Sequence, residues 1–339
     1  MQYKVMLARV FNEKSFLITG ASGFVGQQLL KALNEVAHSV DIRLHLELVT
    51  RDLSSLAKKM TLQKISNRVS ISYLQDEIGT LLTPSRPVDF VFHLATPASA
   101  ALNRSNPREM LMLNIEAAKW ICDSTYVTAS HPKVLFASSG AVYGGGNGSE
   151  ENISEDSLIS PNTSRPGMAY AEGKRVAEML FYEAQRDGLL TPIIARLFSF
   201  SGPGLPLDRH FAIGNFIRDA VNSQRIVIRG DGSTVRSYLD SRDMAQWLIR
   251  ALGIDAPSFA LHIGSEVAIS ISELAYLVAS RYQALTDVSC SVSILRTKSV
   301  LDGFDHYVPS TQRTREHLGV ETSIPLSDSI DEMIRTEME

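Results

Sequence analysis

From Ser15 onward, compact apolar runs alternate with longer amphipathic segments. Ser15-Phe-Leu-Ile-Thr19 is a short apolar run of the kind that forms a strand buried on both faces. Phe24–Ala37 sets Val25, Leu29, Leu30 and Leu33 at helical spacing, so one face of a helix is apolar. Further strands are predicted over His45–Thr50, Val69–Tyr73, Val88–Leu94, Lys133–Ala137 and Thr191–Phe198. Long helices are predicted over Pro107–Tyr126 and Met168–Arg186. Apolar strands alternating with helices imply βαβ units and a parallel sheet covered on both faces.

The pattern loosens after about Phe200. Gly202-Pro-Gly-Leu-Pro206 is turn chemistry. Short strands near Ile226–Ile228 and Arg236–Leu239 then mix with helices at Asp243–Ala251 and Ser270–Arg281. This predicts a smaller mixed α/β lobe over the carboxyl edge of the sheet, where open α/β sheets bind ligands. A chain of 339 residues exceeds one ordinary domain and fits this division. No internal repeat is visible, and Gly144–Gly148 is too short for a linker.

Composition narrows the function classes. The net charge of -4 argues against bulk attraction to nucleic acid or an anionic membrane, while leaving room for a local phosphate site. No apolar stretch approaches the ~20 residues of a membrane span. Met1–Asn12 mixes Lys4 and Arg9 among short apolar runs and does not read as a signal peptide, so a cytoplasmic protein is expected. Cys122 and Cys290 make no disulfide framework and no metal-ligand cluster; both are expected to be buried apolar side chains.

Chemistry enters at Thr19-Gly-Ala-Ser-Gly-Phe-Val-Gly26, between the first strand and its helix. Gly20, Gly23 and Gly26 permit a tight turn and close approach of backbone to a pyrophosphate. The following helix turns free N–H groups toward it. Ser22, Phe24 and Val25 complete this predicted dinucleotide loop. The second strand ends with Arg51 and Asp52. An acidic residue there binds the ribose hydroxyl of NAD, and a basic one accommodates the 2′-phosphate of NADP. Both cofactors remain open; the register favours Arg51 and leans to NADP. Asp76 and Glu77, after the third strand, are candidates for the adenine end. Three segments follow: a 1–14 extension of unknown role, a 15–200 dinucleotide-binding domain with the catalytic residues, and a 201–339 substrate-binding lobe.

Tyr170 and Lys174 stand one turn apart on a predicted helix face. A phenol ordinarily titrates near 10, and a nearby ammonium with a cationic nicotinamide favours its phenolate. Such a pair can exchange a proton beside a hydride acceptor. A hydroxyl is expected at the end of the fifth strand, within Phe136-Ala-Ser-Ser-Gly-Ala-Val-Tyr-Gly144.

These residues resemble the extended short-chain dehydrogenase/reductases of the NAD-dependent epimerase/dehydratase family, especially UDP-glucose 4-epimerase and UDP-glucuronate decarboxylase. The resemblance rests on the glycine loop, His93-Leu-Ala-Thr-Pro-Ala-Ser99, Asn114, the Ser139 strand and Tyr170-Ala-Glu-Gly-Lys-Arg-Val-Ala-Glu178. It continues through Ala195-Arg-Leu-Phe198 and Arg229-Gly-Asp-Gly-Ser-Thr-Val-Arg-Ser-Tyr238, and so covers about Ser15 to Gly319. It implies a Rossmann-type doubly wound parallel sheet with a smaller mixed α/β C-terminal substrate lobe. It also implies NAD or NADP as cofactor, with Leu94, Ala95, Asn114, Tyr170 and Lys174 among its contacts. The implied substrate is a nucleotide-diphosphate sugar held by Ser139, Asn215 and Arg236. Tyr170 would exchange the proton at sugar C4, Ser139 would bond the same oxygen, and Lys174 would bind the nicotinamide ribose. His93 would pack under the cofactor. No metal and no nucleic-acid or membrane partner is implied. A homodimer is expected through the helices Pro107–Tyr126 and Met168–Arg186, whose Met168, Val176, Met179, Leu180 and Phe181 serve an internal core equally well.

The departures bear on the reaction. Gly140 and Ala141 stand where 4,6-dehydratases carry an Asp-Glu pair and decarboxylases a Glu. The remaining Ser–Tyr–Lys set suffices for oxidation and reduction at C4, as in a 4-epimerase or a 4-keto-sugar reductase. The alternative is a decarboxylase or 4,6-dehydratase whose carboxylate comes from Glu150 or Glu151. Ser199 replaces the usual family Asn, so the sugar is not assumed to be glucose or galactose. A non-catalytic cofactor sensor is disfavoured by the intact triad, and a flavonoid- or sterol-type reductase by Arg236.

Overall fold

The computed structural model describes residues 2–60, 65–76, 83–96, 98–128, 131–144, 151–157, 159, 161–207, 211–255, 259–296 and 305–339. The amino-terminal part runs α1 (Gln2–Phe11), β1 (Lys14–Thr19), α2 (Phe24–Val40), β2 (Leu44–Thr50), α3 (Leu53–Met60), β3 (Val69–Gln75), β4 (Phe90–His93), α4 (Ala100–Ser105), α5 (Pro107–Thr128), β5 (Lys133–Ser139), α6 (Ala169–Arg186), β6 (Thr191–Leu197) and β7 (Phe200–Ser201). It continues with α7 (Ala212–Ser223), β8 (Arg225–Ile228), β9 (Val235–Arg236), β10 (Leu239–Asp240), α8 (Ser241–Gly253), β11 (Leu261–Ile263), β12 (Ile269–Ser270), α9 (Ile271–Thr286), β13 (Ser291–Ile294), β14 (His306–Tyr307), α10 (Gln312–Leu318) and α11 (Leu326–Met338).

The chain divides into two compact units. One comprises Met1–Val142, Pro161–Arg196 and Ala245–Leu261; the other comprises Tyr143–Ser160, Leu197–Met244 and His262–Glu339. The main sheet is parallel, with seven strands in the order β11-β6-β5-β4-β1-β2-β3. It is the doubly wound Rossmann-type arrangement expected from the alternating pattern. Its central strands are buried along nearly their whole length, β4 entirely and β1 and β5 in all but the first residue, while the edge strand β3 buries only Val69. The parallel register pairs Thr19 with His93 and His93 with Phe136. The ends of β1 and β4 therefore line up, and β5 runs three residues further, to Ser139.

Several elements depart from expectation. The first dozen residues form helix α1, which buries Leu7 and Phe11 completely. The Phe11 ring stands edge-on to Phe16 and Phe90, with centroids 5.2 and 5.0 Å away. Strand β4 begins two residues late, and just before it the Asp89 carboxylate accepts the Ser15 N–H at 2.9 Å and the Lys14 ammonium at 2.7 Å. The predicted Arg236–Leu239 strand is two pieces in different sheets: β9 joins β12 and β14, and β10 joins β7. Cys122 is buried, its thiol pushed up to about 12 by burial, but Cys290 is only half-buried.

In the second unit, short strands pair as β13-β8, β12-β9-β14 and β10-β7. Helices α7, α9 and α11 pack on one another. A reciprocal Ser270–Glu273 capping box starts α9. Among the described residues, no helix is long and apolar enough to cross a membrane, and no group of three or more His, Cys, Asp or Glu side chains is placed to hold a metal.

Candidate active site

The glycine loop lies between β1 and α2, with Gly23 at the helix N-cap and no side chain capping it. The N–H groups of the first helical turn, Phe24 to Gly26, are left to an outside acceptor. Gly20 has φ +74, and a Cβ there would sit 2.8 Å from the Leu94 carbonyl carbon and the Ala95 nitrogen. A Cβ on Gly26 would collide with the Gly20 carbonyl. Gly23 is exposed and clears everything but that carbonyl at 3.3 Å. Two glycines thus allow the turn to close, and the third leaves its outer face bare. The geometry fits a pyrophosphate.

At the end of β2 the Asp52 carboxylate is already engaged. It accepts the Ser54 hydroxyl at 2.7 Å and the Ser55 N–H at 2.9 Å, capping α3, and these bonds hold it below its ordinary pKa. Arg51 is exposed, and its guanidinium makes no hydrogen bond or ion pair among the described residues. Asp76 is partly buried, its N–H bonded to the Thr50 carbonyl. Glu77 lies outside the described residues.

Ser139, Tyr170 and Lys174 converge within the first unit. The Ser139 side chain lies near enough to the Tyr170 phenol to favour its charged form. Ser139 Oγ accepts the Ala141 N–H at 3.1 Å. The Lys174 Nζ lies 5.9 Å from the Tyr170 ring centre and 4.7 Å from that of Phe136. It donates to the Thr96 hydroxyl at 2.5 Å and the Ala137 carbonyl at 2.6 Å. Burial raises the Tyr170 pKa and outweighs the Ser139 side chain, which lowers it. Burial also pulls Lys174 down to about 7, against the opposing pull of Glu178. In the free protein both groups lean toward their neutral forms, because desolvation penalises charge.

A polar frame lies beneath the triad. Ser138, next to Ser139, donates to Glu178 Oε1 at 2.5 Å. Arg196 grips the same carboxylate through Nε at 3.0 Å and Nη2 at 2.7 Å. Glu178 stands one turn beyond Lys174 on α6, and Arg196 comes from β6. His93 is fully buried, stacked on Phe136 with centroids 5.8 Å apart. Thr19 Oγ1 lies 2.9 Å from His93 Nδ1 and accepts the Leu94 and Ala95 N–H groups at 3.2 and 3.1 Å. Burial and Lys174 depress the imidazole to about 3, so it is a neutral packing group. Asn114 is fully buried where α5 meets α6. It donates to the Met110 carbonyl at 2.9 Å, and its Oδ1 has no hydrogen-bond partner among the described residues.

The sequence profile of the NAD dependent epimerase/dehydratase family matches residues 16–260. The chain belongs to the NAD-dependent epimerase/dehydratase family. UDP-glucuronic acid decarboxylase 3 of Arabidopsis thaliana is 26% identical over 324 residues, covering 93% of this chain and 86% of the relative. UDP-glucuronic acid decarboxylase 1 of Danio rerio is 25% identical over 325 residues, covering 96% of this chain and 72% of the relative. Among solved structures, UDP-glucose 4-epimerase of Thermotoga maritima superposes with a TM-score of 0.75 at 18% identity, covering 95% of this chain and 98% of that one. The likeness to the solved structure establishes the fold; the profile establishes the family, and with it that this chain is an enzyme.

In this epimerase/dehydratase-family enzyme the other predicted substrate contacts lie in the second unit. Asn215, on α7, helps line a cavity of about 570 Å³ together with Arg218, Val227, Arg229 and Asp231. Arg236 does not line that cavity. Its Nη1 and Nη2 donate to the Asp305 carboxylate at 3.1 and 2.9 Å, and the guanidinium lies 5.3 Å from the Tyr307 ring centre. Of the apolar residues expected at a dimer face, Phe181 is buried in the core of the first unit while Met179 is 55% exposed. Sequence reasoning passed over Thr96, Glu178 and Asp305. Glu178 carried a signal, since it continues the Tyr170–Lys174 spacing by another four residues on the same helix face. Thr96 and Asp305 carried none, because their partners are distant in the chain.

Proposed function

We propose that this enzyme moves hydride at C4 of a nucleotide-diphosphate sugar, as a 4-epimerase or as a reductase of a 4-keto sugar. One observation carries the reading: Tyr170 placed beside both Ser139 and Lys174, with only Gly140, Ala141, Val142 and Tyr143 in the turn that follows Ser139. That set supplies one proton at one oxygen, which oxidation or reduction at C4 requires. It supplies no second acid or base for C5 or C6 chemistry.

The glycine loop would hold the pyrophosphate of a dinucleotide, and Tyr170 and Lys174 would face its nicotinamide end. The cofactor, when bound, accepts and returns the hydride. Tyr170 gives or takes the proton of the C4 oxygen, and Ser139 bonds that oxygen and aligns it. Lys174 is drawn from Thr96 and Ala137 toward the ribose hydroxyls. Its ammonium then favours the phenolate that burial opposes in the free protein. Asn114 orders the α5 side of the same site. Asn215 and Arg236 serve the nucleotide diphosphate, Arg236 by exchanging Asp305 for phosphate oxygens. With Asp52 occupied as a helix cap and Arg51 without a partner among the described residues, the β2 end favours NADP over NAD.

A second reading is UDP-glucuronate decarboxylation, which the names of the curated relatives favour. The test is to incubate the purified protein with NAD+ or NADPH and UDP-glucose, UDP-glucuronate or a dTDP-4-keto-6-deoxy sugar, and to follow products by NMR. A C4 epimer or a C4 alcohol supports the proposal. Release of CO2 from UDP-glucuronate replaces it with the second reading. Tyr170→Phe is expected to lower turnover by roughly 10²- to 10⁴-fold while leaving cofactor binding intact; unchanged turnover removes Tyr170 from the mechanism.

A further inference from the structure

We propose that Asn103 is a positioning residue for Tyr170: its side-chain amide caps the catalytic helix from outside and sets where the phenol stands. The inference rests on the reading of Tyr170 as the proton-transfer group.

Helix α6 begins badly by its own sequence. Its N-cap residue is Met168, at φ -82 and ψ -7, and no side-chain cap hydrogen bond is made there. A thioether is a poor acceptor for the orphan N–H groups of a first helical turn, the role that Ser, Thr, Asp or Asn ordinarily fills. Tyr170 is the second residue of this helix and lies inside the turn that frays first. Its own backbone N–H is the group at stake.

That donor is satisfied from another helix. Asn103 Oδ1, on α4, accepts the Tyr170 N–H at 3.2 Å, and Asn103 Nδ2 donates to the Gly167 carbonyl at 2.7 Å. Gly167 has φ +86, a conformation that glycine adopts without strain. One amide thus ties the residue before the N-cap to the residue whose phenol is needed. Only a side chain with both a donor and an acceptor at its tip makes both bonds.

Asn103 is itself held. The Ser99 hydroxyl caps α4 by accepting the Leu102 N–H at 3.2 Å, and the Asn103 N–H donates to the Ser99 carbonyl at 2.9 Å. A few residues earlier in the same segment, Thr96 accepts the Lys174 ammonium. The stretch after β4 therefore braces α6 at both members of the Tyr–Lys pair, Tyr170 through its backbone and Lys174 through its side chain.

The test uses the full-length protein. In the wild type, hydrogen exchange should show the Tyr170 amide protected; exchange at the rate of an open chain overturns the proposal without any variant. Tyrosinate difference absorbance, with Tyr170→Phe subtracted, isolates the ionisation of this phenol. In Asn103→Ala it should move further upward, because the displaced phenol loses the neighbouring Ser139 side chain that favours its charged form. An unmoved titration overturns the proposal. With whichever of the three nucleotide sugars is turned over, Asn103→Ala should lower kcat on the order of 10- to 100-fold with KM little changed. Asn103→Asp keeps the acceptor for the Tyr170 N–H and should recover most of that loss, whereas Asn103→Leu should not. Equal losses in Asp and Leu variants count against the cap. If Tyr170→Phe proves inactive and Asn103→Ala is normal in titration and kcat, this inference alone fails. If Tyr170→Phe retains turnover, the functional reading fails, while exchange and titration still judge the cap.

Discussion

Two arginine–carboxylate pairs, one in each unit, share a bidentate geometry and differ in their surroundings. Arg196 and Glu178 are 17% and 8% exposed, and the carboxylate accepts a third hydrogen bond from Ser138. Arg236 and Asp305 are 24% and 43% exposed, and the arginine also lies over the Tyr307 ring. The first pair sits where water is excluded, so neither ion can lose its partner without being left uncompensated. The second is half in solvent, and its aspartate can be exchanged for another anion at little expense. Near-identical contacts therefore differ in how firmly they are fixed: a strut under the triad, and a solvent-facing pair whose arginine is the one proposed for the substrate.

Substitutions can break or sharpen this contrast. The largest loss of stability is expected from Glu178→Gln, which strands Arg196 in the interior; about 3–5 kcal/mol should be lost in urea denaturation. A loss below 1 kcal/mol would show that the strut is not load-carrying. Next is Lys174, one turn from Glu178. Burial lowers its pKa from 10.5 to about 7, so between those values the unfolded chain binds more protons than the folded one. The resulting penalty is full below pH 7 and fades as pH rises toward 10.5. Relative to Lys174→Met, the wild type should gain stability across that window; a flat difference in denaturation midpoint would place the ammonium in water. Arg236→Ala should weaken binding of a nucleotide sugar roughly 10- to 100-fold by calorimetry and leave cofactor affinity and stability nearly unchanged. Equal weakening of both ligands would remove Arg236 from the substrate side. Asp305→Asn is the mildest, with less than about 1 kcal/mol of stability at stake. A larger loss would make the second pair a strut like the first.

Much of the frame was legible because the signals were local. The apolar runs that became β1, β2, β5 and β6 carried their period in a few residues, and burial on both faces admits only apolar side chains there. The Gly20–Gly26 loop was legible because strand, turn and helix are contiguous. Helix α1 was not legible as a core element: Leu7 and Phe11 gain their burial from Phe16 and Phe90, which lie elsewhere in the chain. The split of the predicted Arg236–Leu239 strand depended on which neighbours each half found.

The amino-acid sequence by itself determined the sheet-forming alternation, the glycine turn between β1 and α2, the Tyr170–Lys174 spacing and the absence of a carboxylate at positions 140 and 141. Each is a property of neighbours along the chain, where covalent geometry sets the distance. Only the tertiary structure decided how these groups are charged and held. Desolvation, which neutralises Tyr170 and Lys174, depends on everything packed around them. The partners Thr96, Arg196, Asp305 and Asn103 reach their targets across folds of the chain that no local period records.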